Sequence, residues 1–175
     1  MDIERAISER ERVEAFLKNH RIGLLTLFFS DMVASTQLKQ TYGDIQATTL
    51  IQRHHAIVRE RLSKFKEAEE ISTAGDSFFL VFAKPSDAVQ FALHLQRALD
   101  ELSYSTGNAI KDRIGIHIGE VFVSETTEHQ KKDLYGMQID LCAKVMSLAE
   151  GNQILLTRSV FDSARQGFAA TIFRD

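Results

Sequence analysis

The chain has little of what pins small or extracellular scaffolds together. Its 175 residues include one cysteine, Cys142, which can form no internal disulfide and cannot build a cysteine-rich zinc site. There is one proline, Pro85, with no low-complexity stretch and no internal repeat, so no linker separates two domains. Long hydrophobic runs are missing too. The strongest, Ile22 to Phe29, is far below the about 20 residues that span a bilayer. The opening residues, MDIERAISERERVEAF, are charged throughout and do not read as a secretory signal. Positive charge is not in excess: 21 Lys and Arg stand against 24 Asp and Glu, a net charge of −3, which argues against a general nucleic-acid partner. With 44% hydrophobic and 26% charged residues, the chain can bury an ordinary core. The expectation is one globular domain, soluble and cytoplasmic, with no membrane insertion by this segment.

Hydrophobic periodicity divides the chain. Residues 2–20 place Ile3, Ile7, Val13, Phe16 and Leu17 on a narrow apolar stripe between charges, which predicts an N-terminal amphipathic helix. This helix is assigned to residues 1–22 and the domain proper to 23–175. Leu24 to Phe29 (LLTLFF), bounded by Gly23 and Ser30-Asp31, reads as a buried central strand. A long helix follows over 44–66, with Ile45, Leu50, Ile57, Val58 and Leu62 as its inner face. Glu70 to Thr73 and Phe78 to Phe82 read as strands joined by a tight turn at Ala74-Gly75-Asp76. Ser86 is the expected N-cap of a helix running to about Glu101. Arg113 to Val123 (RIGIHIGEVFV) alternates as a strand does, with a bend expected at Gly119. A helix over 136–149, a strand at Ile154 to Thr157 and a short helix at Ser159 to Arg165 complete the pass.

The first six elements fit a split βαβ, ferredoxin-like core: an α+β fold with an antiparallel sheet and flanking helices. In that topology the first strand lies antiparallel to the third. Asp31, just after the first strand, then comes close to Asp76, in the turn before the third. Alone, Asp31 reads as a helix cap and Asp76 as a turn residue. Side by side, two carboxylates repel unless a cation lies between them, and hard oxygen ligands suit Mg²⁺ or Mn²⁺. Met32-Val33-Ala34-Ser35-Thr36 follows, small and hydroxyl-bearing. It reads as a phosphate cradle of backbone N–H groups at a helix start, or as an ordinary Ser/Thr cap. His54 and His55 are adjacent on a helix and point apart, so they form no joint metal site. His117 and Glu120 on their strand, and Cys142 on its helix, are expected to be structural.

Four ordered blocks, FFSDMVASTQL, STAGDSFFLVF, RIGIHIGEV and DLYGMQIDLCAKVMSLAEGNQILLT, together resemble the catalytic domain of class III nucleotidyl cyclases, the adenylate and guanylate cyclase family. The resemblance covers roughly residues 24–165. It implies conversion of a nucleoside triphosphate, ATP by default, to a 3′,5′-cyclic nucleotide and pyrophosphate, as second-messenger signalling enzymes do. It implies two Mg²⁺ or Mn²⁺ ions per site, held by Asp31, Asp76 and the backbone of Met32, with Val33, Ala34, Ser35 and Thr36 around the phosphates. It also implies a head-to-tail homodimer with each active site at the interface.

The sequence departs from the family pattern at informative positions. Four residues before the second metal aspartate, where adenylate cyclases carry lysine and guanylate cyclases glutamate, stands Ser72. The second base-reading position matches Asp133, as in adenylate cyclases. On the helix after Gly136, the family's asparagine and arginine are replaced by Asp140 and Lys144, whose i, i+4 spacing keeps them on one face. They read as transition-state residues with altered roles, or as a surface salt bridge. The family's further C-terminal hairpin is not matched in the chain. Two alternatives follow: a pyrimidine cyclase making cCMP or cUMP in antiphage signalling, or a catalytically silent cyclase-like module for dimerisation or nucleotide sensing.

Overall fold

The computed structural model of the chain describes residues 21–33, 35–125 and 132–172. The predicted N-terminal helix lies outside the described residues up to position 20, and Arg21 and Ile22 belong to the first strand instead. The order is β1 (Arg21–Met32), α1 (Ser35–Leu62), β2 (Ala68–Ala74), β3 (Ser77–Phe82), α2 (Pro85–Thr106), β4 (Asp112–Glu125), β5 (Lys132–Tyr135), α3 (Met137–Ser147), β6 (Ile154–Leu156) and α4 (Arg158–Ile172). The sheet runs β2-β3-β1-β4-β5, with β6 pairing β4 in parallel. Its first four strands are antiparallel neighbours, so the predicted ferredoxin-like arrangement is the one observed. β1 pairs along its whole length with β4, from Arg21 opposite Val123 to Met32 opposite Asp112.

Because strand side chains alternate, the sheet has two differently furnished faces. Phe28, Met32, Phe78, Leu80, Phe82, Ile114 and Ile116 join residues of α1, α2 and α4 in the larger core. Leu27, Phe79, Val81 and Val121 form a smaller cluster on the other face with Cys142 of α3. There α3 lies so close to β4 that a Cβ on Gly115 would collide with the Met146 backbone, and one on Gly119 with the Gln138 side chain. Gly119 therefore serves close helix packing within an unbroken strand.

Several boundaries differ from the sequence pattern for local reasons. The long helix starts at Ser35 and is broken at Gly43, whose φ of 78° is not helical. Ile45, just past the break, is 84% exposed, not on the inner face. Beyond the break the buried positions are Ala47, Leu50, His54, Val58 and Leu62, a run at spacings of three and four that takes in a histidine. Ser86 is not a cap: Lys84 occupies that position and Pro85 opens α2, where a missing N–H costs nothing. The helix continues to Thr106 and ends at Gly107 in the left-handed conformation. β5 is too short to show a period and is not apparent from the sequence pattern.

Candidate active site

Asp31 is the penultimate residue of β1 rather than the first residue after it. The β1/β4 register sets it opposite Arg113. Both strands end their pairing at one edge of the smaller face. Asp31 Oδ2 accepts hydrogen bonds from Arg113 Nη2 at 2.6 Å and Nε at 3.1 Å. Asp31 Oδ1 accepts one from Ser77 Oγ at 2.6 Å. Ser77 is the first residue of β3 and follows Asp76, so this bond ties the first aspartate to the turn that carries the second. In that turn, His55 Nε2 donates to the Gly75 carbonyl at 2.8 Å. Burial holds the His55 imidazole below the ordinary histidine value, against the opposing pull of that carbonyl. Arg59, one turn further along α1, pairs with Glu70 at 2.9 Å. That pairing, with burial opposing it and Thr73 assisting, holds the Glu70 carboxyl below the usual range.

Asp76 differs from Asp31. Its Oδ2 is buried and has no hydrogen-bond partner. A carboxylate oxygen in that state is costly unless a ligand meets it. Among the described residues, no cluster of three or more His, Cys, Asp or Glu side chains is placed to hold a metal. Two carboxylates and a backbone carbonyl would need further oxygens from substrate phosphates and water, as Mg²⁺ sites commonly do. The donor set fits a hard divalent cation. Met32 buries its side chain in the larger core, which leaves only its backbone for a ligand.

The cradle residues divide. The Val33 N–H donates to the Lys111 carbonyl at 2.8 Å and is not a free phosphate donor, contrary to expectation. Ala34 lies outside the described residues. Ser35 and Thr36 form the first turn of α1, whose opening N–H groups have no intrahelical partner.

Ser72 is exposed on β2 opposite Phe79, beside an irregularity in the β2/β3 register. Asp133 lies in β5 opposite Ser124. β2 and β5 terminate the sheet path at opposite ends, yet the two strands come into contact. Asp140 and Lys144 are both exposed on α3, and no ion pair joins them among the described residues. They are not brought to Asp31 and Asp76 within this chain by any bond. Exposed Met137 and Leu141 accompany them on the same helix.

The remaining candidates are structural. His54 Nε2 donates to both oxygens of Asp112 at 2.9 Å, and both side chains are fully buried. His117 Nε2 donates to Gln138 Oε1 at 2.7 Å, and its Nδ1 lies 3.1 Å from the Thr157 hydroxyl. Glu120 is exposed opposite Leu24. The Cys142 thiol donates to the Leu27 carbonyl at 3.3 Å, and burial pushes its pKa up to about 12. Arg113 and Ser77 were not singled out by the sequence reading. Arg113 faces Asp31 in the β1/β4 register, and Ser77 lies just past the last β1/β3 pair, Ser30 and Phe78, so the strand register is what reveals them.

Residues 17–173 match the family model described as the adenylate and guanylate cyclase catalytic domain. A receptor-type adenylate cyclase, ESAG 4, of Trypanosoma brucei brucei is 27% identical over 175 residues, covering 79% of this chain and 14% of that protein. The chain thus spans about a seventh of that relative's length. The structure resembles adenylate cyclases from Trypanosoma brucei solved in their monomeric state, with 25% identity and a TM-score of 0.72, over 82% of this chain and 79% of the other. The adenylyl cyclase CyaB from P. aeruginosa shares the fold at a TM-score of 0.78 and 17% identity, over 85% and 83% of the two chains. No helix among the described residues is long and apolar enough to cross a membrane.

Proposed function

From the premise that the chain belongs to the adenylate and guanylate cyclase catalytic domain family, we propose that it is a nucleotidyl cyclase. It would convert a nucleoside triphosphate to a 3′,5′-cyclic nucleotide and pyrophosphate. The observation that carries this reading is the buried, unpartnered Asp76 Oδ2, in a turn that Ser77 links to Asp31. Asp31, Asp76 and the Met32 carbonyl would hold two Mg²⁺ or Mn²⁺ ions. Bound there, the ions would make the ribose 3′-hydroxyl a better nucleophile and withdraw charge from the triphosphate. The ribose 3′-oxygen would give up its proton to water and form its bond to the α-phosphorus as the bond to pyrophosphate breaks.

The chain's own residues bind and orient. The first turn of α1 at Ser35 and Thr36 would take phosphate oxygens on its free N–H groups. Lys144 would place a positive charge near them, without the two-pronged contact of arginine. Asp140, when ionised, accepts hydrogen bonds only. Ser72 and Asp133 would face the base. Asp133 favours ATP, whereas the single hydroxyl of Ser72 gives weak discrimination and leaves a pyrimidine substrate open. Asp140 and Lys144, exposed beside Met137 and Leu141, would complete the site of a second copy across a head-to-tail dimer.

The test is incubation with each of the four ribonucleoside triphosphates and Mn²⁺, with products identified by mass spectrometry. A cyclic product that disappears in Asp76→Asn is expected. No product from any triphosphate, with nucleotide binding retained, would favour the silent sensing module. Sedimentation over a concentration range, with nucleotide and metal, checks the dimer.

A further inference from the structure

The two aspartates of the proposed metal site are in opposite electrostatic states. Asp76 has a bare, buried oxygen. Asp31 has both oxygens engaged: Oδ1 by the Ser77 hydroxyl and Oδ2 by two nitrogens of Arg113. Oδ2 already accepts two hydrogen bonds from the guanidinium, so a divalent cation that takes Oδ2 displaces it, and one that takes Oδ1 binds beside its positive charge. We propose that Arg113 is a positioning residue that competes with the metal for Asp31. It holds Oδ2 on the β4 side, while Ser77 anchors Oδ1 on the side of the Asp76 turn, and it yields Oδ2 when the cation binds. This inference rests on the metal reading given above.

Three features favour exchange over a fixed brace. The Arg113 side chain is 33% exposed and that of Asp31 19%, so the guanidinium can move into water without leaving a buried cation behind. Ser77 keeps its bond to Oδ1 independently of Arg113, so the carboxylate retains one anchor when Oδ2 is released. Charge also matters. Two carboxylates without a cation repel, and Arg113 supplies one positive charge to the pair. The cluster then carries −1, which is tolerable beside water but leaves less attraction for a metal than −2 would.

The experiment titrates the whole chain with Mn²⁺ alone, without nucleotide, and follows free Mn²⁺ by electron paramagnetic resonance. Arg113→Gln keeps a hydrogen-bond donor and removes the charge. It is expected to bind Mn²⁺ more tightly, by about tenfold, the scale of one displaced charge-assisted hydrogen bond. Arg113→Lys, which keeps the charge, is expected to bind close to wild type. It also supplies the comparison if Arg113→Gln folds poorly, since a lysine variant with clearly weaker Mn²⁺ binding would count against competition. A merely structural arginine would weaken binding when replaced, so unchanged or weaker Mn²⁺ affinity in Arg113→Gln overturns the inference. In that event, loss of binding in Asp76→Ala leaves the metal reading standing. Absence of Mn²⁺ binding in wild type and in Arg113→Gln, both alone and with nucleoside triphosphate added, overturns both.

Discussion

Two neighbouring rungs of the β1/β4 ladder hold a carboxylate against a basic side chain, and they differ in nearly every other respect. Asp112, opposite Met32, points into the larger core and meets His54 with both side chains fully buried. Asp31, opposite Arg113, points to the other face, where both partners keep some contact with water. One residue of strand separates them, and strand alternation sends them to opposite faces. The sealed pair ties α1 to β4 out of contact with water, with His54 Nδ1 itself buried and without a hydrogen-bond partner. The open pair lies next to an unpartnered carboxylate oxygen on Asp76. Residue type does not separate the buried Asp112 from Asp31 of the proposed metal site; the face of the sheet does.

The comparison breaks most visibly on the sealed side. His54→Ala leaves Asp112 buried without its donor, and breaking a buried pair in this way costs about 3–5 kcal/mol. Urea denaturation followed by circular dichroism should show that loss, and a change within experimental error would mean the pair is not sealed. On the open side, Ser72→Lys should shift kcat/KM towards ATP over the other triphosphates, by up to about 1–3 kcal/mol if a charge-assisted bond to the base forms. A strictly ATP-specific natural protein that the substitution leaves unaltered would remove Ser72 from the base site.

Asp76→Asn sharpens the contrast further. It should abolish metal-dependent nucleotide binding while stability stays within about 1 kcal/mol of wild type or rises, because a buried charged oxygen is exchanged for a neutral amide. A destabilisation as large as that of His54→Ala would make Asp76 a structural residue. The smallest effect is expected at Cys142. With its thiol pushed up to about 12, labelling by a thiol reagent near pH 8 should be negligible in the folded protein and complete once it is denatured. Rapid labelling of the native chain would show that α3 lifts from β4.

Periodicity and turn residues were enough to read the order of the first six elements and hence the ferredoxin-like core. The reason is that LLTLFF, FFLVF and RIGIHIGEVFV carry strong strand patterns between clear breaks. The same reasoning paired Asp31 with the turn of Asp76, since topology alone sets β1 against β3. Ile45 fits the inner-face pattern yet is exposed, because the phase of α1 resets at Gly43, whose backbone angle no hydrophobic pattern reveals. His54 is not legible as a core position, because a polar residue on an apolar face becomes interpretable only with its partner, and Asp112 is 58 positions away.

Family and fold are thus legible in the amino-acid sequence, together with the carboxylate at the end of β1 and the one in the β2/β3 turn. These follow from local pattern and from motifs that carry their spacing with them. Only the tertiary structure decided which of those carboxylates is already neutralised. It also showed that Val33 spends its N–H on Lys111, and that Gly119 admits a helix instead of bending a strand. Each of these depends on a partner distant in the chain, and on which face of the sheet that partner occupies. Hydrogen bonds and close packing are made between atoms in space, and a one-dimensional pattern fixes them only after register has been set by folding.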